Sequence, residues 1–254
     1  MLSLFMIVLF LQSQEARILF PSRVVDFEKL VNDGNFKPIE DCPKAGGFVA
    51  GWEMSLKCSN VSGIKEVFVS GEPVSDKHTL IPWEVEPEHF ATIIRSVFSP
   101  ETCKQGIHIM TSRRLHKYSI LLSKAINQSG LKATSETMET EVVALKSIAL
   151  LYRKRKQAYS AILPLNDPGV ITPLVLRELL QLQFRRGIPL IVRSRHEVFT
   201  GGLFAVEPIM TLDFIKNPNP QTLSYKKYFN PKTAFSLGLG GKVFEKNNFM
   251  AMTR

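Results

Sequence analysis

The sequence predicts an α/β fold in which parallel sheets are flanked by helices. From residue 107 onward, short apolar runs typical of buried strands alternate with longer segments of helical periodicity. The connections between them are short, which favours right-handed strand–helix–strand units. With 254 residues, 44% hydrophobic and 22% charged, the chain has the composition of an ordinary globular protein.

The first hundred residues predict a less regular arrangement. An amphipathic helix is expected over residues 87–98, where apolar residues recur at helical spacing. Prolines at 73, 82 and 87 indicate a crossover or linker before it. The other expected elements are strands at 18–20, 47–51 and 67–69 and a short helix at 26–32.

The second part of the chain predicts five strands and three helices. The helix that begins after Thr172 is the best formed, because Thr172 is a good N-cap, Pro173 suits the first helical position and Gly187 suits the end. The predicted strands are 107–110, 131–138, 159–165, 188–192 and 202–206, and the predicted helices are 115–126, 142–152 and 173–186.

The N-terminus carries an apolar run from Leu2 to Leu11, interrupted only by Ser3. About ten apolar residues are too few to span a bilayer but suit the central region of an export signal. We therefore predict a signal peptide over residues 1–16, with a buried N-terminal strand or helix as the alternative. Retention of the segment as an anchor also stays open.

The balance of 32 Lys+Arg against 23 Asp+Glu gives a net charge of +9, which raises the question of nucleic acid. The densest basic run, Arg153 to Lys156, ends a predicted helix, where cations complement the helix dipole, and it lacks interleaved aromatics for base stacking. We expect no nucleic-acid partner. A basic surface facing anionic lipid headgroups is a further possibility.

Three cysteines fit an exported protein without proving export. Cys42 and Cys58 lie in one loop-rich segment and could close a disulfide loop, which leaves Cys103 over. Three unconnected thiols are the alternative. The cysteines lack the paired spacing of a zinc site, so we expect no metal and no other cofactor.

Motifs that would mark an enzyme are missing from the sequence. It contains no phosphate loop, no nucleophile elbow and no helical metal-binding histidine pair. His196, near Ser194 and Glu197, could be interpreted as an acid–base group, but a solvated loop histidine is the more common case. We therefore predict a protein that is not an enzyme.

Polar residues follow the predicted strands, and in open parallel sheets ligands bind beyond the carboxyl ends of the strands. An arginine there can hold a ligand carboxylate and an aspartate can hold an amine, so Arg195 and Asp167 suit a zwitterion. Each residue also has an ordinary structural explanation, such as a turn for Asn166 and Asp167. The predicted ligand-binding residues are Thr111, Ser112, Asn166, Asp167, Ser194, Arg195, Thr200 and Gly201.

Four segments, in order, resemble ABC-transporter substrate-binding proteins of the tryptophan/tyrosine-binding type. Asn60–Ile64 is similar to that family's "N-x-TGv" segment, and Leu165–Pro168 to a strand that ends in an acidic loop. The helix end at Arg186–Ile191, followed by Val198–Leu203, is similar to its "iPvf" strand and "v-x-x-Gal" segment. Phe229–Leu239 is similar to its closing "iN-x-x-tA-x-x-lGl" motif.

The resemblance implies a two-lobed, periplasmic-binding-protein-like architecture with a reduced first lobe. The expected parts are a signal peptide at 1–16, a shortened lobe plus crossover at 17–100, a second lobe at 101–207, and a segment at 208–254 that returns toward the first lobe. It further implies a periplasmic monomer that captures a small, polar, amino-acid-like molecule between the lobes and delivers it to an ABC permease in the inner membrane. Since the segments before Asn60 and between Val206 and Phe229 are short for this family, an accessory protein without a transport ligand is the alternative function.

Overall fold

The computed structural model describes residues 6–8, 19–21, 42, 47–50, 52–67, 73, 75–80, 84–153, 159–165, 167, 169–209, 214, 219 and 223–252. The chain divides into two compact units. The first comprises residues 1–84 and 210–224, and the second comprises residues 85–209 and 225–254. Within the described residues, no helix combines the length and the apolar character needed to cross a membrane.

The first unit contains a small antiparallel pair and a three-stranded parallel sheet. Strands β1 (Met6–Val8) and β2 (Leu19–Pro21) form the pair, with Met6 opposite Pro21. The sheet has the order β3-β4-β5, formed by Gly47–Ala50, Ile64–Val67 and His78–Leu80, and helix α1 (Trp52–Lys57) connects β3 to β4.

Strand β1 lies inside the predicted export signal, which remains a prediction. The helix expected at 26–32 lies outside the described residues, and the strand expected at 67–69 is observed from Ile64 instead.

A disulfide and a buried contact between a histidine and a carboxylate stabilise this unit. A disulfide joins Cys42 to Cys58, with 5.6 Å between their Cα atoms. The carbonyl of Cys58 accepts a hydrogen bond from Nε2 of His78 at 3.1 Å, and Nδ1 of the same ring lies 2.5 Å from a carboxylate oxygen of Glu66. Both side chains of this pair are fully buried. The three contacts connect the disulfide segment to strands β4 and β5.

The second unit is built on parallel strands with helices on both faces. Strands β6 (Ile107–Ser112), β7 (Ala133–Met138) and β8 (Ala161–Pro164) form a parallel sheet in the order β7-β6-β8. A parallel bridge between Ile162 and Leu190 connects it to a second group of strands in the order β9-β10-β11-β12. These are β9 (Ile191–Val192), β10 (Phe204–Ile209), β11 (Ser224–Phe229) and β12 (Met250–Ala251).

Successive strand residues alternate between two apolar clusters, as the pleat of a strand requires. Ile107 and Ile109 belong to one cluster and Met110 to the other. The first cluster includes residues of α2 (Pro87–Val97), α3 (His116–Gln128), α7 (Pro231–Ser236) and α8 (Gly241–Lys246). The second includes residues of α4 (Glu141–Arg153), α5 (Pro173–Arg186) and α6 (Arg195–Thr200). The predicted α/β class with parallel sheets between helices is confirmed.

Local signals define α5 as expected. The hydroxyl of Thr172 accepts a hydrogen bond from the N–H of Val175, Pro173 is in the first turn, and Gly187 has φ 64°, the left-handed conformation that ends a helix.

Gly202 has a different role, because a Cβ added there would lie 2.5 Å from a methyl carbon of Val192. The chain before β10 can therefore lie against β9 only without a side chain at that position.

The division into units differs from the predicted one at two places. Helix α2 belongs to the second unit, whereas the sequence placed 85–100 with the first lobe. Of the segment 208–254, which was expected to return toward the first lobe, residues 210–224 belong to the first unit and residues 225–254 to the second. The physical reason is a cluster of phenylalanines. Phe244 stacks on Phe229 with ring centroids 4.7 Å apart, and it contacts Phe204 and Phe249 edge-on or tilted.

Replacement of Phe244 by alanine should destabilise the second unit strongly. The ring is fully buried among three other aromatic rings, so its removal leaves a cavity that costs about 3–5 kcal/mol in the free energy of unfolding. Phe235→Ala is the matched control, because that ring on the neighbouring helix is 88% exposed and its loss should cost less than about 0.5 kcal/mol. Urea unfolding monitored by circular dichroism measures both values, and a cost for Phe244→Ala close to that of the control would contradict this packing.

Candidate functional site

The second unit has a topological switch point between β6 and β8. The chain leaves β6 into α3, which packs in the first apolar cluster, and leaves β8 toward α5, which packs in the second. The two neighbouring strands therefore send their connections to opposite faces of the sheet. A crevice opens at the carboxyl ends of such strands, and it is the usual position of ligands in open parallel sheets.

Ser112 ends β6 at this crevice and has an unusual hydroxyl group. The residue is 3% exposed, and its Oγ has no hydrogen-bond partner among the described residues. Its backbone, with φ −94° and ψ 170°, has the conformation of a helix N-cap, yet the side chain caps nothing. A buried hydroxyl without a partner is costly, which makes Ser112 a candidate for contact with a group outside the described chain.

The helical segment that follows Ser112 adds a favourable place for a negative charge. A short 3₁₀ turn (Arg113–Leu115) leads directly into α3. The first N–H groups of such a segment have no partner within the helix, and the helix dipole places partial positive charge at that end. Because Ser112 does not cap these donors, they can receive a carboxylate or a similar anion.

Thr111 and Asp167 lie on the same edge. Thr111 is fully buried and its hydroxyl donates to the carbonyl of Ser112 at 3.2 Å, so it supports the end of the strand. Asp167 comes three residues after β8 and is 8% exposed. Its Oδ1 accepts from the N–H of Gly169 at 2.8 Å, and among the described residues Oδ2 has no hydrogen-bond partner. Asp167 is thus a turn residue whose second carboxylate oxygen is a candidate acceptor for a cation. Asn166 lies outside the described residues.

Ser194 and Arg195 lie at the carboxyl end of β9, where the Ser194 side chain and the Arg195 backbone make local hydrogen bonds. The hydroxyl of Ser194 accepts a hydrogen bond from the N–H of Glu197 and caps α6. The N–H of Arg195 donates to a carboxylate oxygen of Glu207 at 2.7 Å. Arg193 forms an ion pair with Glu197. The carboxylate that follows the exposed His196 in the chain is therefore bound to a guanidinium.

Glu207 was not among the predicted residues. It lies in the second half of β10, next to the end of β9, and is half-buried. The sequence prediction ended this strand at residue 206, whereas the structure extends it to Ile209. A carboxylate that directly follows the apolar run Phe204–Val206 is the signal that could have indicated it.

Thr200 and Gly201 lie at the opposite edge of the sheet, which corrects their predicted placement. They precede β10, and β10 runs parallel to β9, so they are at its amino end. The carbonyl of Gly201 accepts from the side chains of Gln183 and Thr233, at 2.8 Å and 2.9 Å. The hydroxyl of Thr200 donates to the carbonyl of Glu197. Both residues therefore anchor backbone rather than face the crevice.

The same network joins two of the segments that carry the resemblance. Asn230 caps α7 by accepting from the N–H of Thr233, and its amide donates to the carbonyl of Val198 at 2.9 Å. Thr233 binds the carbonyl of Gly201. The segment at 229–239 thus holds the segment at 198–203 through side chains spaced three residues apart.

Within the described part of the chain, no group of three His, Cys, Asp or Glu residues is placed to hold a metal ion. The crevice instead presents one hydroxyl, one helix N-terminus and one carboxylate. Such groups can orient a small polar molecule by hydrogen bonds and opposite charges.

Solved structures share this fold, although no protein-family model and no curated protein matches the sequence. A conserved domain protein from Vibrio cholerae O1 biovar El Tor aligns with a TM-score of 0.59 and 12% identity over 84% of this chain and 79% of that one. An ABC domain from Streptococcus pneumoniae in complex with L-Trp aligns with a TM-score of 0.58 and 12% identity over 90% and 86%. The ligand-free, open form of a substrate-binding protein with adhesive properties from Clostridium difficile aligns with a TM-score of 0.50 and 13% identity over 83% and 79%. The chain therefore has the fold of these proteins.

Replacement of Ser112 by alanine should leave the stability of the protein unchanged or raise it. The buried hydroxyl makes no hydrogen bond within the described chain, so its removal relieves a desolvation cost without losing a bond. Ser194→Ala is the matched control, because it removes a hydroxyl that caps α6 and should cost about 1 kcal/mol. Urea unfolding without ligand measures both changes. A cost for Ser112→Ala equal to that of Ser194→Ala would mean that the Ser112 hydroxyl is bonded within the protein.

Proposed function

We propose that this chain is the solute-binding component of an ABC importer and that it captures a small, zwitterionic, amino-acid-like molecule. The observation that carries the proposal is the unpartnered, buried hydroxyl of Ser112 at the switch point. It lies beside the N-terminus of the segment 113–128, and Asp167 follows the neighbouring strand. In this arrangement the helix end and Ser112 receive the ligand carboxylate, and Asp167 receives the ammonium group.

The solved structures support this chemistry. One of the proteins with this fold contains L-Trp, and another is a substrate-binding protein. Because a fold by itself does not fix a function, the proposal depends on the groups at the crevice rather than on the similarity. This ligand assignment differs from the one predicted from the sequence, because it gives the ligand carboxylate to the helix N-terminus and Ser112 instead of the Arg195 guanidinium.

The proposed location is the periplasm, with an ABC permease of the inner membrane as the partner that receives the ligand. The disulfide between Cys42 and Cys58 supports export, since disulfides persist in oxidising compartments. The predicted signal at residues 1–16 supports the same location. No catalytic activity is part of the proposal. The carboxylate of Glu197, next to the exposed His196 in the chain, forms an ion pair with Arg193.

A thermal-unfolding screen tests the proposal. The chain is heated alone and with L-tryptophan, L-tyrosine, other amino acids, nucleosides and short peptides. A ligand at about 100 times its dissociation constant should stabilise the folded state by about 2.7 kcal/mol. For a chain of this length that shift is about 5–10 °C in Tm. Cooperative unfolding with no shift across the panel would contradict a transport ligand and favour the accessory function instead.

Asp167→Asn should weaken binding of the ligand found in that screen by tenfold or more, which corresponds to about 1.4 kcal/mol. The substitution removes the negative charge proposed to hold the ammonium group while it keeps the shape of the side chain. Isothermal titration calorimetry measures the dissociation constants, with Glu245→Gln on the exposed face of α8 as the charge-matched control.

The analogue that lacks the amino group gives an independent comparison. The analogue should bind the Asp167→Asn variant and the unmodified chain with similar affinity, because it has no ammonium group for the Asp167 carboxylate to hold. An equal loss of affinity for the ligand and its deaminated analogue would show that Asp167 acts only on the turn that it caps.

A further inference from the structure

The segment from Thr102 to Ser135 contains no acidic residue. It carries six basic residues, Lys104, Arg113, Arg114, Lys117, Lys124 and Lys132. The segment includes α3 and the turns on either side of it. Among the described helices longer than ten residues, α3 is the one without an aspartate or glutamate, since α2 carries Glu88, α4 carries Glu141 and α5 carries Glu178.

The exposed side of α3 combines this charge with aliphatic groups. Lys117, Ile120, Leu121 and Lys124 are spaced three or four residues apart, so they share one face of the helix. Ile120 is 49% exposed and Leu121 is 54% exposed. The opposite side of the same helix, with Leu122, Ala125 and Ile126, is buried in the core. We call the four exposed residues the α3 face.

The face has the composition of a surface that lies on a membrane. Lysine side chains flank two adjacent aliphatic residues, and a basic polar face beside exposed leucine or isoleucine is typical of helices at the bilayer interface. The aliphatic stems of lysine can lie along acyl chains while the ammonium groups reach the phosphates. The face carries no aromatic ring for base stacking, which disfavours nucleic acid.

A second copy of this chain is a poor occupant for the face. A two-fold contact through α3 would place Lys117 and Lys124 of one copy against the same residues of the other. Like charges placed against each other destabilise such a contact. Charge complementarity therefore points to an anionic occupant.

We propose that the α3 face docks on the surface of a membrane that contains anionic phospholipid. Lys117 and Lys124 contact the phosphates of the headgroups, and Ile120 and Leu121 enter the boundary between headgroups and acyl chains. The contact is reversible, since two lysines and two aliphatic side chains give modest affinity. It is independent of the crevice at β6 and β8, so it can be tested without a ligand.

Vesicle sedimentation with the full chain tests the docking. The probes are vesicles of phosphatidylcholine alone and vesicles of phosphatidylcholine with one quarter phosphatidylglycerol. We expect binding to the anionic vesicles to exceed binding to the neutral ones. Binding to the anionic vesicles should weaken between 0.1 M and 0.5 M salt, because salt screens the attraction between the lysines and the phosphates. The neutral vesicles also measure any contribution of the apolar run at residues 2–11.

Matched variants locate the contact. Lys117→Gln with Lys124→Gln should weaken binding to anionic vesicles by about 25-fold, at about fivefold for each charge removed. The control pair Lys232→Gln with Lys242→Gln, exposed on α7 and α8, changes the net charge equally and should shift binding less than about threefold.

A second pair of variants tests the aliphatic contribution without a change in charge. Ile120→Ser with Leu121→Ser should also weaken binding, whereas Val142→Ser with Leu150→Ser on the exposed side of α4 should not. Equal losses in the α3 and control pairs, or equal binding to neutral and anionic vesicles, would overturn the proposal. Absence of binding to anionic vesicles would also overturn it and would leave an acidic protein as the occupant of the face.

Discussion

The geometry of parallel strands is the constraint on which the second unit depends. A parallel strand cannot be joined to its neighbour by a tight turn, so each connection crosses back over the sheet, here as a helix. All the carboxyl ends of β6, β8 and β9 therefore open on one edge, and all the helices α3, α4 and α5 return across a face. The residues of β6 are buried along the whole strand because helices cover both sides. Ser112 is the last residue of this central strand and is only 3% exposed.

Ser112 differs from Gln183 and Thr233, two other buried polar residues of the second unit. The amide of Gln183 donates to the carbonyl of Gly201 and accepts from the N–H of Leu190, so both of its ends are used. Thr233 is bonded as well, through its hydroxyl. Such complete pairing is the normal condition of a folded interior. Ser112 lacks such a partner among the described residues, and it stands at the edge where the topology favours a ligand crevice.

Local rules predicted the elements whose boundaries depend on neighbouring residues. The start of α5 follows from Thr172 and Pro173 and its end from Gly187, and each has its expected role. The cap at Ser194 was equally accessible, because a serine followed three residues later by glutamate is a helix-start pattern. The sequence could also have placed Thr200 and Gly201 correctly. They precede the predicted strand 202–206, and in a parallel sheet residues that precede a strand lie at its amino end.

Other features depend on contacts between distant residues and could not be predicted from one sequence. The assignment of residues 225–254 to the second unit depends on Phe229 and Phe244 meeting Phe204, and no local pattern encodes that meeting. The unpartnered state of Ser112 depends equally on everything that surrounds it. Sequence indicated that a serine lies at a strand end, but only the packed unit shows that it lacks a partner.

The close approach at Gly202 has a consequence for how this chain could diverge. A Cβ there would meet the methyl carbons of Val192 at 2.5 Å and 2.6 Å, so neither position can enlarge alone. A chain that gains alanine at 202 must reduce the residue at 192, and the intermediate with both side chains is overpacked. In an alignment of proteins with this architecture the two columns should therefore change together, and that joint change would mark the contact between the start of β10 and the end of β9 without any coordinates.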